Sequence, residues 1–530
     1  MTRMLLMKVV YLLLFLLLLK WLPSYAGAMP IIKELKSSCV VINQVYFTPL
    51  RLFPLVTSKH VSEWKSALEG LCASDETLLV YADYLNQQLA EVGYITSYIH
   101  YPQQNLLFGV LYVDLIAGKL QGIEFQDGVD TGWSLANAFP LQRGDVVQLH
   151  QLNQGLANLR NTQLVPYQIQ IISDNERDNM NQLIIQRTAV RAFKGRLLFE
   201  SKQSQEQPNQ VISQVVMLAN PLLLNDFFFF SLDSDIGQGT SKKFKSASLL
   251  YSIPYHYWLL SFYAGYQEST AYKNIQLFDQ IALKNDLRNR LLLMQAEYVL
   301  HRSLNSTTSA SVGAQVQTLD VFLNNYRLKT QQRFSSYGLF GLSHKRDFLQ
   351  GSIAVSISYK QSLDWFGSTR KQTTGLDRAR IYQFSADYQR QFTFMNQPMY
   401  HRHEVELQLS HAKLDPLLEV NTITGRFGIR GFTGSLPIEN AGENTLKIKN
   451  EWGWLLPWQE HKFYSGLDFA STSSERARFW QKNKLLGGEV GIQGQYKRMG
   501  YKVFFELPLW YSSTIKAEPI LLGAKLSIDY

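Results

Sequence analysis

Tyr382-Gln-Phe-Ser-Ala-Asp-Tyr-Gln389 sets rings and a methyl group against amides, a hydroxyl and a carboxylate, one residue after the other. In an extended strand successive side chains point to opposite faces, so one face of this stretch is greasy and the other wet. The same period recurs on both sides of it. Ile353, Val355, Ile357 and Tyr359 oppose Ser352, Ser356 and Ser358, and Val405, Leu407 and Leu409 oppose Glu404, Glu406 and Gln408. Leu446, Ile448, Trp452 and Trp454 oppose Lys447, Lys449 and Glu451. At the C-terminus Leu526, Ile528 and Tyr530 oppose Lys525, Ser527 and Asp529. Segments of about ten residues with this alternation, repeated from residue 191 to residue 530, describe either a soluble sandwich or a closed membrane barrel.

Charge on the wet face, aromatic weight and the start of the chain decide for the barrel. Aromatic residues make up 13% of the 530, with 28 Tyr and 30 Phe, as interfacial girdles require. Arg3 and Lys8 precede the apolar run Val9–Leu19, and Ala26-Gly27-Ala28 offers a small-residue cleavage site. Residues 1–28 therefore read as a secretory signal, the run being too short to span a bilayer. The longest later apolar stretch, Val215–Phe230, is broken by Asn220-Pro221 and Asn225-Asp226 and reads as strand, turn, strand. A mean hydropathy of −0.14 suits a wall that alternates. An exported chain that crosses lipid without helices must close its sheet, because hydrocarbon offers no partner to an open edge.

Strand patterns fall eleven before a long loop at about 413–443 and five after it, near 444–455, 461–470, 484–497, 500–510 and 518–530. Sixteen antiparallel strands is an even number, and their lumen is wide enough for water or an inserted loop. The loop carries Thr424-Gly-Arg-Phe-Gly-Ile-Arg-Gly-Phe432. Gly425, Gly428 and Gly431 permit tight turning or close backbone approach, and Arg430 is a planar five-donor cation. In the later strand Phe463-Tyr-Ser-Gly-Leu-Asp-Phe-Ala470, the residues Phe463, Leu467 and Phe469 take the lipid face. Asp468 and Gly466 then face the lumen together. A carboxylate beside a bare glycine suits a loop latched to the wall through Arg430.

Ahead of the barrel two short α+β patterns follow one another, 39–117 and 118–190. In the first, a strand from Cys39 leads to a helix near Val61–Leu71 and a second helix capped by Ser74 and stopped by Gly93. Tyr94–Tyr101 and Leu107–Ile116 then read as paired strands. In the second, Leu120–Phe125 precedes a helix marked by Leu149, Leu152, Leu156 and Leu159, then strands at Ile169–Ile172 and Leu183–Gln186. Each offers a strand edge and a helix groove where an extended polypeptide can dock. Cys39 and Cys72 suit one disulfide in an oxidising compartment, two buried thiols being the alternative. Net charge is +9, of which Arg3, Lys8 and Lys20 leave with the signal. The remainder, without a basic run, argues against nucleic-acid binding. The ten histidines show no ligand spacing; His401 and His403 open a strand and read as interfacial. No cofactor or catalytic constellation is expected.

Several of these stretches together resemble the two-partner secretion transporters of Gram-negative outer membranes, the haemolysin and filamentous-haemagglutinin secretion/activation proteins. Gly425-Arg426 with Ile429-Arg430-Gly431-Phe432 is similar to the loop motif of their superfamily, shared with the barrel-assembly insertases, whose arginine meets a wall aspartate. Phe463–Asp468 is similar to the wall motif. Cys39, Cys72, Gly93-Tyr94-Ile95-Thr96-Ser97 and Gly118–Ile123 resemble the first polypeptide-transport-associated (POTRA) domain and its junction, Asn153-Gln154-Gly155-Leu156 the second domain's helix, and Leu485–Tyr496 a late strand.

The resemblance implies a transmembrane β-barrel of sixteen strands behind two periplasmic domains. It also implies export, and admits activation, of one large exoprotein of haemolysin, adhesin or contact-dependent toxin type. That partner would be bound unfolded through its N-terminal secretion domain, with chaperones as further periplasmic partners and Gly93, Tyr94, Thr96, Gln154 and Leu156 as substrate contacts. Three departures stand out: Tyr98 where an arginine is common, Thr433 where an acidic residue is usual, and a segment 29–38 too short for a plug helix at about 1.5 Å per residue. An insertase would need more domains than 39–190 holds, and a passive porin would need neither.

Overall fold

The computed structural model describes residues 39–128, 133–162, 164–174, 179–187, 192–202, 210–237, 242–276, 280–368, 378–432, 441–458, 460–473, 483–512, 515 and 517–530. The signal, the segment 29–38 and Thr433 lie outside them. By its internal contacts the chain forms two compact units. One holds the described residues up to Gly122 with Leu141–Leu149 and Ile171–Gln182; the other holds Ile123–Pro140, His150–Gln170 and Leu183–Tyr530.

In the first unit, β1 (Gln44–Thr48), α1 (Ser58–Leu68), α2 (Asp75–Val92), β2 (Tyr98–His100) and β3 (Val110–Ile116) make one domain. The sheet runs β1-β3-β2, with β3 parallel to β1 and antiparallel to β2. Helix α2 starts where the Ser74 hydroxyl accepts the Thr77 N–H, with Asp75 and Glu76 at the positive end of the helix dipole. It stops at Gly93, whose φ of +117° is in the left-handed region. Tyr81, Leu85 and Leu89 form its buried stripe, in one core with Val45, Phe47, Leu111, Val113 and Leu115.

The strand expected from Cys39 onward breaks at Ile42-Asn43. There the Ile42 N–H turns to the Leu71 carbonyl (2.9 Å) and the Asn43 N–H to that of Gly109 (2.7 Å). Before the break, Val40–Val41 pairs with Cys72–Ala73, and the Cys39–Cys72 disulfide ties the two. The strand read from Tyr94 begins only at Tyr98, because Tyr94 turns wholly into the core and its hydroxyl accepts the Leu55 N–H at 3.0 Å.

A second domain contains β4 (Lys119–Phe125), α3 (Ser134–Ala138), α4 (Leu149–Leu159), β5 (Tyr167–Asp174) and β6 (Met180–Arg187), its sheet ordered β4-β6-β5. Helix α3 has no counterpart in the sequence reading; five residues are too few to show a helical period. Gly155 is required inside α4, since a Cβ there would stand 2.0 Å from the Phe139 ring.

The barrel strands are β7 (Phe193–Lys202), β8 (Gln210–Ala219), β9 (Phe227–Asp235), β10 (Lys242–Tyr255), β11 (Trp258–Gln276) and β12 (Gln280–Arg302). They continue with β13 (Ser306–Leu323), β14 (Arg333–Phe348), β15 (Gly351–Leu363), β16 (Arg380–Phe394) and β17 (Gln397–Ser410). After the long loop come β18 (Asn444–Leu455), β19 (Lys462–Ser473), β20 (Asn483–Tyr496), β21 (Met499–Tyr511) and β22 (Leu521–Asp529). Each pairs antiparallel with its neighbour and β22 closes on β7, giving the sixteen-stranded barrel. At the seam Arg196 donates to Asp529 (Nη2 to Oδ2, 2.8 Å), and the Tyr530 ring lies over Gly195.

The alternation is resolved as a wall. Phe463, Leu467, Leu526 and Ile528 are exposed on its outer face, whereas Asp468, Glu489, Glu506 and Lys447 face inward and are buried. Among the described residues no helix is long and apolar enough to cross a membrane. An exposed apolar outer face of this extent belongs in lipid, where closure leaves no unpaired strand edge.

Candidate functional site

The connection between β17 and β18 folds inward rather than away from the wall. Its tip is a self-contained turn: the Gly425 N–H bonds the Phe432 carbonyl (3.0 Å), Gly428 bonds Gly425 (2.9 Å) and Ile429 bonds Ile423 (3.1 Å). Gly425 and Gly431 take φ of +81° and +83°, which a side chain would strain. Ile423, Ile429 and Phe432 are fully buried against Ala470, Leu485 and Ile515. Phe432 also meets the Tyr511 ring edge-on at 5.7 Å.

The turn presents Arg430 to β18 and β19. Its Nε donates to Asp468 Oδ2 (2.8 Å) and its Nη2 to Asp468 Oδ1 (2.6 Å), a bidentate fork. Its backbone N–H adds a bond to Asp468 Oδ2 (3.0 Å). Nη2 further reaches the Asn450 carbonyl (2.7 Å), and Nη1 reaches Glu451 Oε2 (2.9 Å). With the Asn450 N–H at 3.3 Å, Asp468 accepts four bonds, all that a carboxylate readily takes. Asp468 is fully buried. Burial alone lowers the Arg430 pKa, but the bonds to Asp468 outweigh it and raise it, so the guanidinium stays charged. Removing either partner would strand the other charge.

Two wall glycines make room. A Cβ on Gly466 would stand 2.1 Å from Arg430 Nη1, and one on Gly487 would stand 1.8 Å from the Arg430 carbonyl oxygen. Gly487 lies where the β20–β21 register shifts. The Gly431 N–H donates to Glu506 Oε2 (3.1 Å). Arg426 lies 3.8 Å from Glu200 and over the Phe244 ring. Sequence reasoning named Arg430, Asp468 and Gly466 but missed Glu451, Glu506 and Gly487. Their inward parity on lumen strands was a signal, yet parity does not say which inward carboxylate meets the loop.

A second tie was also missed. Nearer the loop's start, Asp415 pairs with Arg333 of β14 at 3.1 Å, and Glu419 takes a hydrogen bond from the Tyr337 hydroxyl. Lys360 Nζ sits 4.0 Å over the Tyr337 ring, and Leu414 packs on Ala379 and Ile381.

Most of the expected substrate contacts are engaged within the fold. Gly93 is a helix cap, Tyr94 is core, and the Thr96 hydroxyl bonds the Gly118 carbonyl (3.3 Å), so all three hold the first domain together. Tyr98, where an arginine is common, bonds Asn179 Oδ1 at 2.9 Å. Gln154 is 2% exposed, and its amide is fully engaged. It donates to Asn158 Oδ1 (3.0 Å) and the His256 carbonyl (2.7 Å) and accepts from Arg302 Nε (2.7 Å). Asn158 donates to the same His256 carbonyl at 2.7 Å. Helix α4 is thereby fixed to the β10–β11 turn, and Leu156 is half-buried on it. Gly93, Tyr94 and Gln154 are buried, whereas Thr96 and Leu156 keep part of their surface exposed.

Residues 180–494 match the family described as haemolysin secretion/activation protein ShlB/FhaC/HecB, and residues 40–118 match the POTRA domain, ShlB-type. "Outer membrane transporter CdiB-2" of Burkholderia pseudomallei is 24% identical, over 88% of this chain and 80% of that protein. "Hemolysin transporter protein HpmB" of Proteus mirabilis is 23% identical, over 88% and 82%. Among solved structures, CdiB from Escherichia coli superposes with a TM-score of 0.84 at 19% identity, covering 96% of this chain and 94% of that one.

Proposed function

Because the chain belongs to the haemolysin secretion/activation protein family (ShlB/FhaC/HecB), we propose that it is an outer-membrane transporter dedicated to one large exoprotein of haemolysin, adhesin or contact-dependent toxin type. The observation that carries this reading is a closed sixteen-stranded wall whose polar lumen holds a loop pinned by a bidentate ion pair. A pore built only for small solutes has no need of so specific an inner tie.

The periplasmic domains take the exoprotein as an unfolded chain. In the first domain's sheet the described strands β1 and β2 lie at the edges, and an edge offers unpaired N–H and C=O groups to an added strand. The chain then threads past the inward loop, which shifts by exchanging its Asp468 bonds for water. Lumen hydroxyls and amides such as Ser309, Ser343, Ser356 and Gln383 hydrate the moving backbone without gripping it. Folding of the exported chain outside opposes its return.

Deleting the gene and returning it on a plasmid, with the large protein encoded beside it, tests the reading. The exoprotein should reach the medium only with the intact gene. Full external accumulation without it would overturn the assignment.

A further inference from the structure

The connection between β8 and β9, Asn220-Pro-Leu-Leu-Leu-Asn-Asp226, is an apolar tongue at the end of the wall where the chain enters β7. Pro221, Leu222 and Leu223 are exposed, the two leucines at 62% and 48%. A turn that meets only water is ordinarily polar.

The tongue is held, not loose. The Asn220 N–H bonds the Asp226 carbonyl (2.7 Å), and the Asn225 N–H bonds Asn220 Oδ1 (2.7 Å). The fully buried Asp226 carboxylate accepts the Leu222 and Leu224 N–H groups (3.2 Å each) and the Tyr251 hydroxyl (2.8 Å). Asn220, Leu223 and Asn225 take φ of +56°, +62° and +56°. Asparagine adopts that conformation readily, leucine only at a cost. The bonds of its neighbours therefore keep Leu223 outward against its own preference.

Register shows which face of the wall the tongue covers. Phe228 pairs with Tyr251 and Tyr251 with Phe262, on the outer face that also bears the exposed Leu232 and Leu260. Asp226 has the parity of Phe228, and its bond to Tyr251 keeps the carboxylate on that face. The Leu222 and Leu224 N–H groups close over it there. The level fits as well. Phe227 pairs with Ser252, and a little further along β10 Tyr255 pairs with Trp258, which pairs with Tyr298. These three exposed rings form an aromatic belt, the feature found where acyl chains give way to headgroups. Asp226 follows Phe227 toward the same end, so the tongue sits beside the belt. Its other side carries the second domain. Ser134 Oγ donates to Asn225 Oδ1 (2.6 Å), Asn137 Nδ2 to the Leu224 carbonyl (2.5 Å) and Asn161 Nδ2 to the Asn225 carbonyl (3.0 Å).

We propose that Pro221, Leu222 and Leu223 insert among the acyl chains of the periplasmic leaflet, a fixed wedge that seats α3 at the bilayer surface. The lipid face of the wall continues directly onto the tongue, so the chains that bathe Phe228 and Tyr251 are the apolar surface within its reach. The inference rests on the outer-membrane placement of the wall.

The test uses the full chain in phosphatidylcholine bilayers. Cys39 and Cys72 are bridged, so Leu222→Cys supplies a thiol that takes a nitroxide label. Leu260→Cys on the outer wall and Leu107→Cys, 75% exposed in the first domain, serve as lipid and water references. The ratio of relaxation by oxygen to relaxation by a water-soluble nickel complex should be at least about threefold higher at Leu222 than at Leu107, because a polar complex is excluded from hydrocarbon. Should Leu222→Cys fail to assemble, judged by heat-modifiable mobility on gels, Leu223→Cys is read instead and should give the same result. A ratio equal to that of Leu107 overturns the wedge. Spectral broadening by a neighbouring label would assign the tongue to a second copy of the chain and also overturn it. Failure of the outer-membrane placement looks different: the Leu260 label would itself read as water, and the wedge would fall with the wall.

Discussion

Arg333 on β14 holds Asp415 of the inward loop at 3.1 Å, on a different arc of the wall from the β19 strand that carries Asp468. The loop is therefore tied at two places, near its start and at its tip. A segment tied twice loses much of its conformational freedom, and opening it requires both ties to yield.

Loosening the first tie should leave the barrel assembled and the pore leakier. Asp415→Ala combined with Tyr337→Phe removes the ion pair and the hydrogen bond to Glu419. Single-channel recordings in planar bilayers should show more frequent or larger openings. Wild-type conductance and open time would refute the two-tie account.

At the tip, charge alone should not suffice. Arg430→Lys keeps a cation but cannot span both Asp468 oxygens, Glu451 and the Asn450 carbonyl together. Export should fall by about tenfold or more, the loss expected on removing a buried charged hydrogen bond. Asp468→Asn should act alike, with barrel amounts unchanged. Secretion assays with surface-localised controls decide, and normal export by both variants would end the latch proposal.

Gln154→Ala should loosen α4. It leaves Arg302 without its 2.7 Å acceptor and removes one of two donors to His256. A loss of roughly 1–3 kcal/mol in local stability follows from a buried group left unpaired. Hydrogen exchange should speed up over Leu149–Leu159 and stay slow in the barrel strands. Unaltered protection of α4 would return Gln154 to the pool of candidate substrate contacts.

Reduction of Cys39–Cys72, or Cys72→Ser, should destabilise the first domain within the intact chain. The bridge closes 33 residues of sequence, worth about 3–4 kcal/mol in a chain-entropy account. Protease sensitivity should rise between Cys39 and Ile116, with the barrel's mobility on gels preserved.

Acid should weaken the region around α4. Burial, then the nearby His301, depresses the pKa of His150. The unfolded chain thus takes up a proton first, near pH 6.5. Stability is complete above that pH, falls as pH drops through it, and levels off once the folded-state pKa is passed. His150→Asn should flatten the dependence of α4 exchange on pH between about 5 and 7; an unchanged slope would acquit this histidine.

Much of the molecule follows from the order of its residues. A period of two over Tyr382–Gln389 and its counterparts dictates a two-faced wall, because strand geometry is local. The Ser74 cap and the Gly93 stop set α2 for the same reason. The candidate pair Arg430 and Asp468 was legible too, since one sits on a glycine-rich turn and the other has lumen parity beside Gly466. What sequence could not supply was distance across the barrel. Asp415 and Arg333, Gly431 and Glu506, and Gln154 and His256 meet only once sixteen strands have closed and the loop has turned in. A side chain's partner through space depends on closure, shear and register summed over the whole wall. That sum also took Gln154 off the exposed surface and set His401 against His403.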